Sequence, residues 1–245
     1  MNRVFIAGAT SAIAEAVARL LARDGADLLL AARHAIKLEA VAADLRVRGA
    51  ARVQTLLFEA EDLAGQVGLW NAAVRMLGEV DALLIAHGNL PDQARAEEEP
   101  LVAARSLQVN LSSPAVLVLL AGAYFEQRGQ GWIGVVTSVA GDRGRRSNYV
   151  YGAAKGGLTI LLDGLRVRLA GAGVAVVNFK PGFVDTPMTA HLPKNPLYTS
   201  AETVGRAIHR ALRHPRPVVY VPWFWRWVML VVRLIPGPIF RKLRL

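Results

Sequence analysis

The stretch Arg3–Leu21, RVFIAGATSAIAEAVARLL, decides how the rest of the chain is read. A five-residue apolar run stops at Gly8 and opens at once into an Ala- and Leu-rich helical pattern, which makes a strand, a tight turn and a helix. The first N–H groups of such a helix have no partner within it. Together with the positive end of the helix dipole they form a grip for a pyrophosphate. Gly8 permits the sharp turn. Ala12 and Ala14 stand where dinucleotide-binding loops usually carry glycine, so the fingerprint is incomplete. Thr10 and Ser11 bring hydroxyls that either cap the helix or bind phosphate. Gly8, Thr10, Ser11, Ala12 and Ile13 are therefore the candidate phosphate-binding residues.

Outward from this unit the same alternation continues to about residue 221. Apolar runs RVFIA, ADLLLAA, RVQTLLF, DALLIA, WIGVVT, VAVVNF and PVVYV are separated by helical patterns at roughly 12–24, 35–48, 62–78, 100–127, 149–172 and 200–213. This predicts an α/β fold of the Rossmann type: a doubly wound, parallel, seven-stranded sheet with helices on both faces. Nearly consecutive apolar residues in each strand fit a sheet covered on both sides. Ligands of such sheets bind beyond the carboxyl ends of the strands. No linker divides the 245 residues, so residues 1–221 are read as one nucleotide-binding domain and 222–245 as its amphipathic C-terminal extension.

Composition narrows the class. The chain is 53% hydrophobic, with a mean hydropathy of +0.31, more apolar than an ordinary core requires. It has no cysteine, which excludes disulfide and thiolate–metal frameworks, and no metal site is expected. The first residues enter a strand pattern without the features of a secretory signal, so residence on the cytoplasmic side is expected. The net charge of +10 is concentrated late. After Glu202 there is no acidic residue, while Arg206, Arg210, Arg213, Arg216, Arg226, Arg233, Arg241, Lys242 and Arg244 follow.

At the end of the second strand, Ala32 is followed by Arg33. An acidic residue there would bind ribose hydroxyls, whereas a guanidinium favours a 2′-phosphate, so NADP(H) is expected over NAD(H). Farther on, WIGVVTSVAGDRGRRSNYVYGAAKGGL places Ser138 just after the fifth strand and puts Tyr151 and Lys155 one helical turn apart, on one face. All three converge on the sheet's carboxyl edge.

With Ser138, the Tyr-x-x-x-Lys pair and PGFVDTPM in this order, the chain resembles the short-chain dehydrogenase/reductase family over residues 3 to about 221. The resemblance implies carbonyl reduction with Tyr151 as general acid and Ser138 binding the substrate oxygen. Lys155 would draw the phenol pKa toward working pH and hold the nicotinamide ribose. Asn110, in LQVNLSSP, matches the family's helical Asn that links a proton-relay water to the lysine. Pro181 and Gly182 end a strand in a turn, and Val184 and Thr186 would contact the nicotinamide carboxamide. Glu59, beside Ala60, stands where an adenine-binding Asp is common, and its partner is either the adenine amino group or water. The family's Asn-Asn-Ala-Gly is IAHG here, which leaves Ala86 and Gly88 in the cofactor set. His87 is not counted as catalytic. Tyr149 precedes the helix and either lines the substrate opening or packs. The family often assembles through its fourth and fifth helices, so a homodimer or homotetramer is expected.

The tail VPWFWRWVMLVVRLIPGPIFRKLRL is read as an apolar helix from Trp223 to Ile235, stopped by PGP and too short to cross a bilayer. Three tryptophans and flanking arginines suit the interface of an anionic membrane. Burial in a dimer interface or over the active site is the other reading. Nucleic acid is not an expected partner, because the basic residues are interleaved with greasy ones. GATSAIAEA, AHGNLPDQ, KPGFVDTPMT and this tail are together most similar to the branch that includes the reductase partner of decaprenylphosphoryl-ribose 2-epimerase, whose members reduce a prenyl-phosphate-linked keto sugar. A soluble or fatty ketone, ketoacyl or steroid-like, is the alternative substrate. A nucleotide-binding membrane adaptor with weakened catalysis is a third reading, against which Ser138, Tyr151 and Lys155 stand intact.

Overall fold

Strand β1 (Arg3–Ala7) is buried on both sides: Val4 and Ile6 join one core, Phe5 and Ala7 the other. The two-residue period divides β2 (Asp27–Ala32) and β4 (Ala82–Ile85) in the same way, with Leu28, Leu30 and Leu84 on one side and Leu29, Leu83 and Ile85 on the other. In the computed structural model, which describes residues 2–243, these strands combine with β3 (Arg52–Leu57), β5 (Gly131–Val136), β6 (Val174–Pro181) and β9 (Val218–Val221). The result is a seven-stranded parallel sheet of order β3-β2-β1-β4-β5-β6-β9. The order reverses between β1 and β4, which opens a crevice at their carboxyl ends. Two short strands, β7 (Val184–Asp185) and β8 (Thr199–Ser200), pair with each other beyond β6.

Helices α1 (Ala12–Arg23), α2 (Ala35–Val47) and α8 (Ala201–Arg213) contribute to the first core, and α3 (Gly65–Leu77), α6 (Ser113–Arg128) and α7 (Tyr149–Arg168) to the second. The expected helix at 100–127 is interrupted. After α5 (Pro100–Leu107) the backbone widens into a π turn at Gln108–Ser112, where the Ser113 N–H reaches back to the Gln108 carbonyl. Pro114 has no N–H to give the Asn110 carbonyl, which accounts for the slip in the ladder at that point. The run Pro100–Arg128 is apolar and long enough to span a bilayer, yet Leu117, Val118, Ala121 and Phe125 are fully buried against the sheet, as in a core helix. A short α4 (Gln93–Glu98), capped by the Asp92 side chain, had no counterpart in the periodicity.

The tail differs from its expectation in extent and in exposure. Helix α9 covers Trp225–Leu234, and the chain does not stop at PGP but forms one further turn, α10 (Gly237–Phe240). Trp225 and Met229 are buried against Val139, Phe183 and Tyr220, so only Trp223 and Trp227 of the three tryptophans face outward. Leu230, Val231 and Leu234 are exposed beside them. The late basic residues divide as well: Arg213 pairs with Asp24 at 2.7 Å on the body of the domain. Arg226 and Arg233 lie on α9, Arg241 and Lys242 follow α10, and Arg244 lies outside the described residues.

Candidate active site

A cleft of about 510 Å³ lies along the carboxyl edge of the sheet, and every residue of the candidate cofactor set lines it, from Gly8 in the first loop to Thr186 after β7. At its first end Gly8 has φ +85°, and a Cβ there would lie 2.4 Å from the His87 backbone nitrogen, so glycine alone fits. This close approach brings the loops after β1 and β4 together. Ser11 is the N-cap of α1, accepting from the Ala14 N–H at 3.2 Å, which settles its hydroxyl on the cap. Ala14 is fully buried in the core, where its methyl group is accommodated. Ala12 and Ile13 begin α1 at the edge of the cleft, a cradle suited to a pyrophosphate.

Arg33 is exposed, and its Nε lies 3.1 Å from His34 Nε2. Lys37, which the sequence reading did not single out, also lines the cleft and donates to the Thr10 carbonyl at 2.9 Å. Glu59 and Ala60 line the same end. The positive charge of Arg33 and of Lys37, which also lies 3.7 Å from Glu15, and the first N–H groups of α1 that the Ser11 cap leaves unpaired fit a phosphorylated dinucleotide.

In the middle of the cleft the His87 ring packs edge-on against Phe58, and its Nε2 lies 3.0 Å from the Ser113 hydroxyl. Burial, with the nearby charge of Lys155, pushes this imidazole down to about 3, so it is neutral. Asn110 does not line the cleft. It is buried behind Gly88, where its Nδ2 donates to the carbonyls of Asn89 at 2.9 Å and Ser106 at 3.1 Å. A Cβ on Gly88 would lie 2.6 Å from Asn110 Oδ1 and 3.4 Å from Lys155 Nζ, so the glycine keeps the path between these two side chains open.

Ser138 leaves β5 in an extended conformation and caps a short 3-10 turn, accepting from the Ala140 N–H at 3.1 Å. Tyr151 and Lys155 follow in the first two turns of α7, with Nζ 5.7 Å from the centre of the phenol ring. The ammonium donates to the Val136 carbonyl at 3.3 Å. Burial pushes the Tyr151 phenol up to about 12, with the Ser138 hydroxyl acting in the opposite sense, and pushes Lys155 down to about 8. The expected lowering of the phenol by the lysine is thus not what this pocket does, because desolvation of both groups prevails. Tyr149 opens α7 rather than preceding it; it is 45% exposed, lies outside the lining of the cleft, and its hydroxyl meets Glu97 and Gln93 of α4.

Behind the far wall, and outside the lining of the cleft, lies a cluster that sequence reasoning missed. The ammonium of Lys180 on β6 pairs with Asp142, and the Tyr220 hydroxyl donates to Asp142 Oδ2 at 2.8 Å, tying the loop after Ser138 to β6 and β9. Gly182, which with Pro181 ends β6, accommodates Trp225: a Cβ there would lie 1.9 Å from the indole Nε1. The glycine serves this close approach as much as the turn. A charged residue in the otherwise apolar VAVVNFKP was the available signal for this cluster.

Comparison with known proteins agrees with this geometry. The family described as short chain dehydrogenase matches residues 2–197. The uncharacterized oxidoreductase Rv2073c of Mycobacterium tuberculosis is 39% identical over 98% of this chain and 96% of its own. An uncharacterized oxidoreductase from the mprA 5′ region of Streptomyces coelicolor is 40% identical, over 98% and 95%. Among solved structures, acetoin dehydrogenase YohF from Salmonella typhimurium superposes with a TM-score of 0.80 at 20% identity, covering 90% of this chain and 94% of that one. A variant actinorhodin polyketide ketoreductase with NADPH gives a TM-score of 0.80 at 22% identity, over 90% and 95%.

Proposed function

Because the chain belongs to the short-chain dehydrogenase/reductase family and is an NAD(P)-dependent oxidoreductase, we propose that it reduces a carbonyl to a secondary alcohol with NADPH as donor. The observation that carries this reading is the meeting of Ser138, Tyr151 and Lys155 in the wall of one cleft, with Lys155 Nζ 5.7 Å from the phenol ring. The buried phenol keeps its proton at neutral pH and is a donor to an oxygen that is gaining charge. The bound cofactor supplies the hydride. Ser138 holds the carbonyl oxygen, Tyr151 delivers the proton, and Lys155 holds the ribose and faces Asn110 across Gly88. Arg33 and Lys37, with no acidic residue at the end of β2, support NADP(H) over NAD(H).

The outer face of α9 supports a lipid surface as the place of work, since Trp223, Trp227, Leu230, Val231 and Leu234 are exposed beside Arg226 and Arg233. That location suits a lipid-linked keto sugar, whose sugar alone must reach Tyr151. Exposed Leu119 on α6 and Ile160 and Val167 on α7 suit contact with a second copy of the chain.

NADPH oxidation by purified protein, measured with cyclic keto sugars, ketoacyl thioesters and steroid ketones, tests the activity. Turnover with at least one ketone, lost in Tyr151→Phe while NADPH still binds, supports the reading. Tight NADPH binding with no turnover across the panel would favour the adaptor. Co-sedimentation with anionic vesicles, compared with a Trp227→Glu/Val231→Glu variant, tests the membrane contact without removing the buried side of α9. Equal sedimentation of the two proteins would remove it.

A further inference from the structure

Ser138 is held differently on its two sides. Before it the backbone belongs to the sheet, where the Thr137 N–H donates to the Phe179 carbonyl at 2.8 Å. After it the chain enters the 3-10 turn Val139–Asp142, and this turn orients the Ser138 side chain. The Ala140 N–H donates to Ser138 Oγ at 3.1 Å, and the Gly141 N–H to the Ser138 carbonyl at 3.1 Å. One lone pair of Oγ is thereby taken, which restricts the directions in which the hydroxyl can donate. The Tyr151 phenol lies beside it.

The turn meets α7 backbone on backbone. A Cβ on Gly141 would lie 2.6 Å from the Gly156 nitrogen, and one on Gly152 2.9 Å from the Ala140 carbonyl oxygen. This contact brings Ser138 close to Tyr151 but supplies no interlocking side chain. Two further ties lead away from the sheet to the tail. Val139 packs on Trp225 and Met229, and Arg143 donates to the carbonyls of Val232, Arg233 and Ile235 while lying 3.7 Å over the Phe240 ring. Asp142 ties the turn to the sheet itself, through Lys180 of β6 and the Tyr220 hydroxyl of β9 at 2.8 Å. Both side chains of the ion pair are buried. Apolar side chains of similar volume would serve stability as well or better, because a buried pair recovers its desolvation poorly. They would not fix direction, whereas a carboxylate with one oxygen on an ammonium and the other on a phenol is held in one orientation.

We propose that Asp142 is a positioning residue for the reduction: through Lys180 and Tyr220 it sets the turn that aims the Ser138 hydroxyl at the carbonyl oxygen. This rests on the reductase reading of the cleft and adds to it three residues that lie outside the cleft lining.

The test is a mutant cycle between this cluster and Ser138 in the full chain. Asp142→Leu/Lys180→Met/Tyr220→Phe replaces every member by an apolar side chain, and its denaturant midpoint should equal or exceed that of the wild type. For a ketone that the wild type reduces, kcat should nevertheless fall about tenfold or more, while the NADPH dissociation constant, read by fluorescence titration, stays within about twofold. Ser138→Ala should cost about 10²-fold in the wild type and about tenfold or less in the triple variant, because a misaimed hydroxyl has less to lose. Additive losses would make the cluster structural and overturn the proposal, as would a wild-type kcat in the triple variant. Weaker NADPH binding in proportion to the lost rate would assign the cluster to the cofactor site and overturn it equally. Should the triple variant not fold, Tyr220→Phe keeps the ion pair and carries the same cycle on a smaller scale, with kcat lowered about two- to threefold and coupled to Ser138; an unchanged kcat there would overturn the proposal. Hydrogen exchange reads the turn without turnover: the Ala140 and Gly141 amides should exchange about tenfold faster in the variant, with amides in the middle of α7 unchanged. Faster exchange at these two amides in a protein that reduces nothing would sink the reductase reading alone, and unchanged exchange would remove the positioning role.

Discussion

Lys155 and Lys180 are both buried at the carboxyl edge of the sheet, 3% and 5% exposed, and they are held in opposite ways. Lys180 is paired with Asp142, whose other oxygen accepts from Tyr220, so the charge is neutralised within the fold. Lys155 has one carbonyl at 3.3 Å and no carboxylate, and its pKa is pushed down to about 8. A protein that places both side chains beside the adjacent strands β5 and β6 can evidently pair a buried ammonium. Leaving one underpaired in the cleft, next to Tyr151, is the mark of a group that completes its contacts with a ligand. The paired lysine holds the wall and the underpaired one faces the chemistry.

The largest test of this contrast removes each ammonium in turn. Lys180→Met should cost about 3–5 kcal/mol, because Asp142 would be left buried without its partner. Lys155→Met should leave unfolding free energy unchanged or raised, yet reduce NADPH-dependent turnover by about 10²-fold or more. Denaturant midpoints and initial rates read both outcomes. Lys155→Met proving the more destabilising would break the distinction.

Next in size is a pH effect. The native pKa of Lys155, about 8, lies below its ordinary 10.5, so between these values the unfolded chain binds a proton that the native one lacks. Stability must then rise with pH across that interval, by about 2 kcal/mol from pH 8 to pH 10 on account of this side chain. Tyr151 works the other way, but only above its ordinary value of 10, since its native pKa is raised. Guanidinium unfolding at pH 8, 9 and 10 should show a steeper rise in the wild type than in Lys155→Met. Parallel curves would mean that Lys155 is not desolvated.

Two smaller effects sharpen the comparison. Tyr220→Phe removes a donor to the buried Asp142 and should cost about 1.5–3 kcal/mol, with the Michaelis constant for NADPH unchanged. Ser11→Ala should cost about 1 kcal/mol through the lost cap of α1, with NADPH affinity kept. A large fall in affinity would return the hydroxyl to the phosphate site.

The sheet and its helices were legible because both strand faces are apolar and each strand ends at a turn residue. Ser138, Tyr151 and Lys155 were legible as a spaced pattern. What was not legible depends on contacts between distant parts of the chain. The π turn at Asn110 follows from Pro114 acting on a carbonyl four residues back, within a pattern whose periodicity reads as continuous helix. The seating of Trp225 over Gly182 needs two segments to meet, and periodicity gives all the tail's tryptophans equal standing. The phenol pKa was misread because one neighbour, the lysine, was weighed without the desolvation that both side chains share. Nothing local in DRGRRSN separates Arg145, which lines the cleft, from Arg143, which is bound to the end of α9.

The hold of Arg143 on the last carbonyls of α9 has a mechanical corollary. Whatever grips the outer side of that helix also pulls on the strap that leads from Ser138 to Tyr151, through this guanidinium and through Val139, on which Trp225 and Met229 pack. If α9 meets a lipid surface, loosening one of these two ties by Arg143→Ala should weaken the dependence of the reaction on that surface.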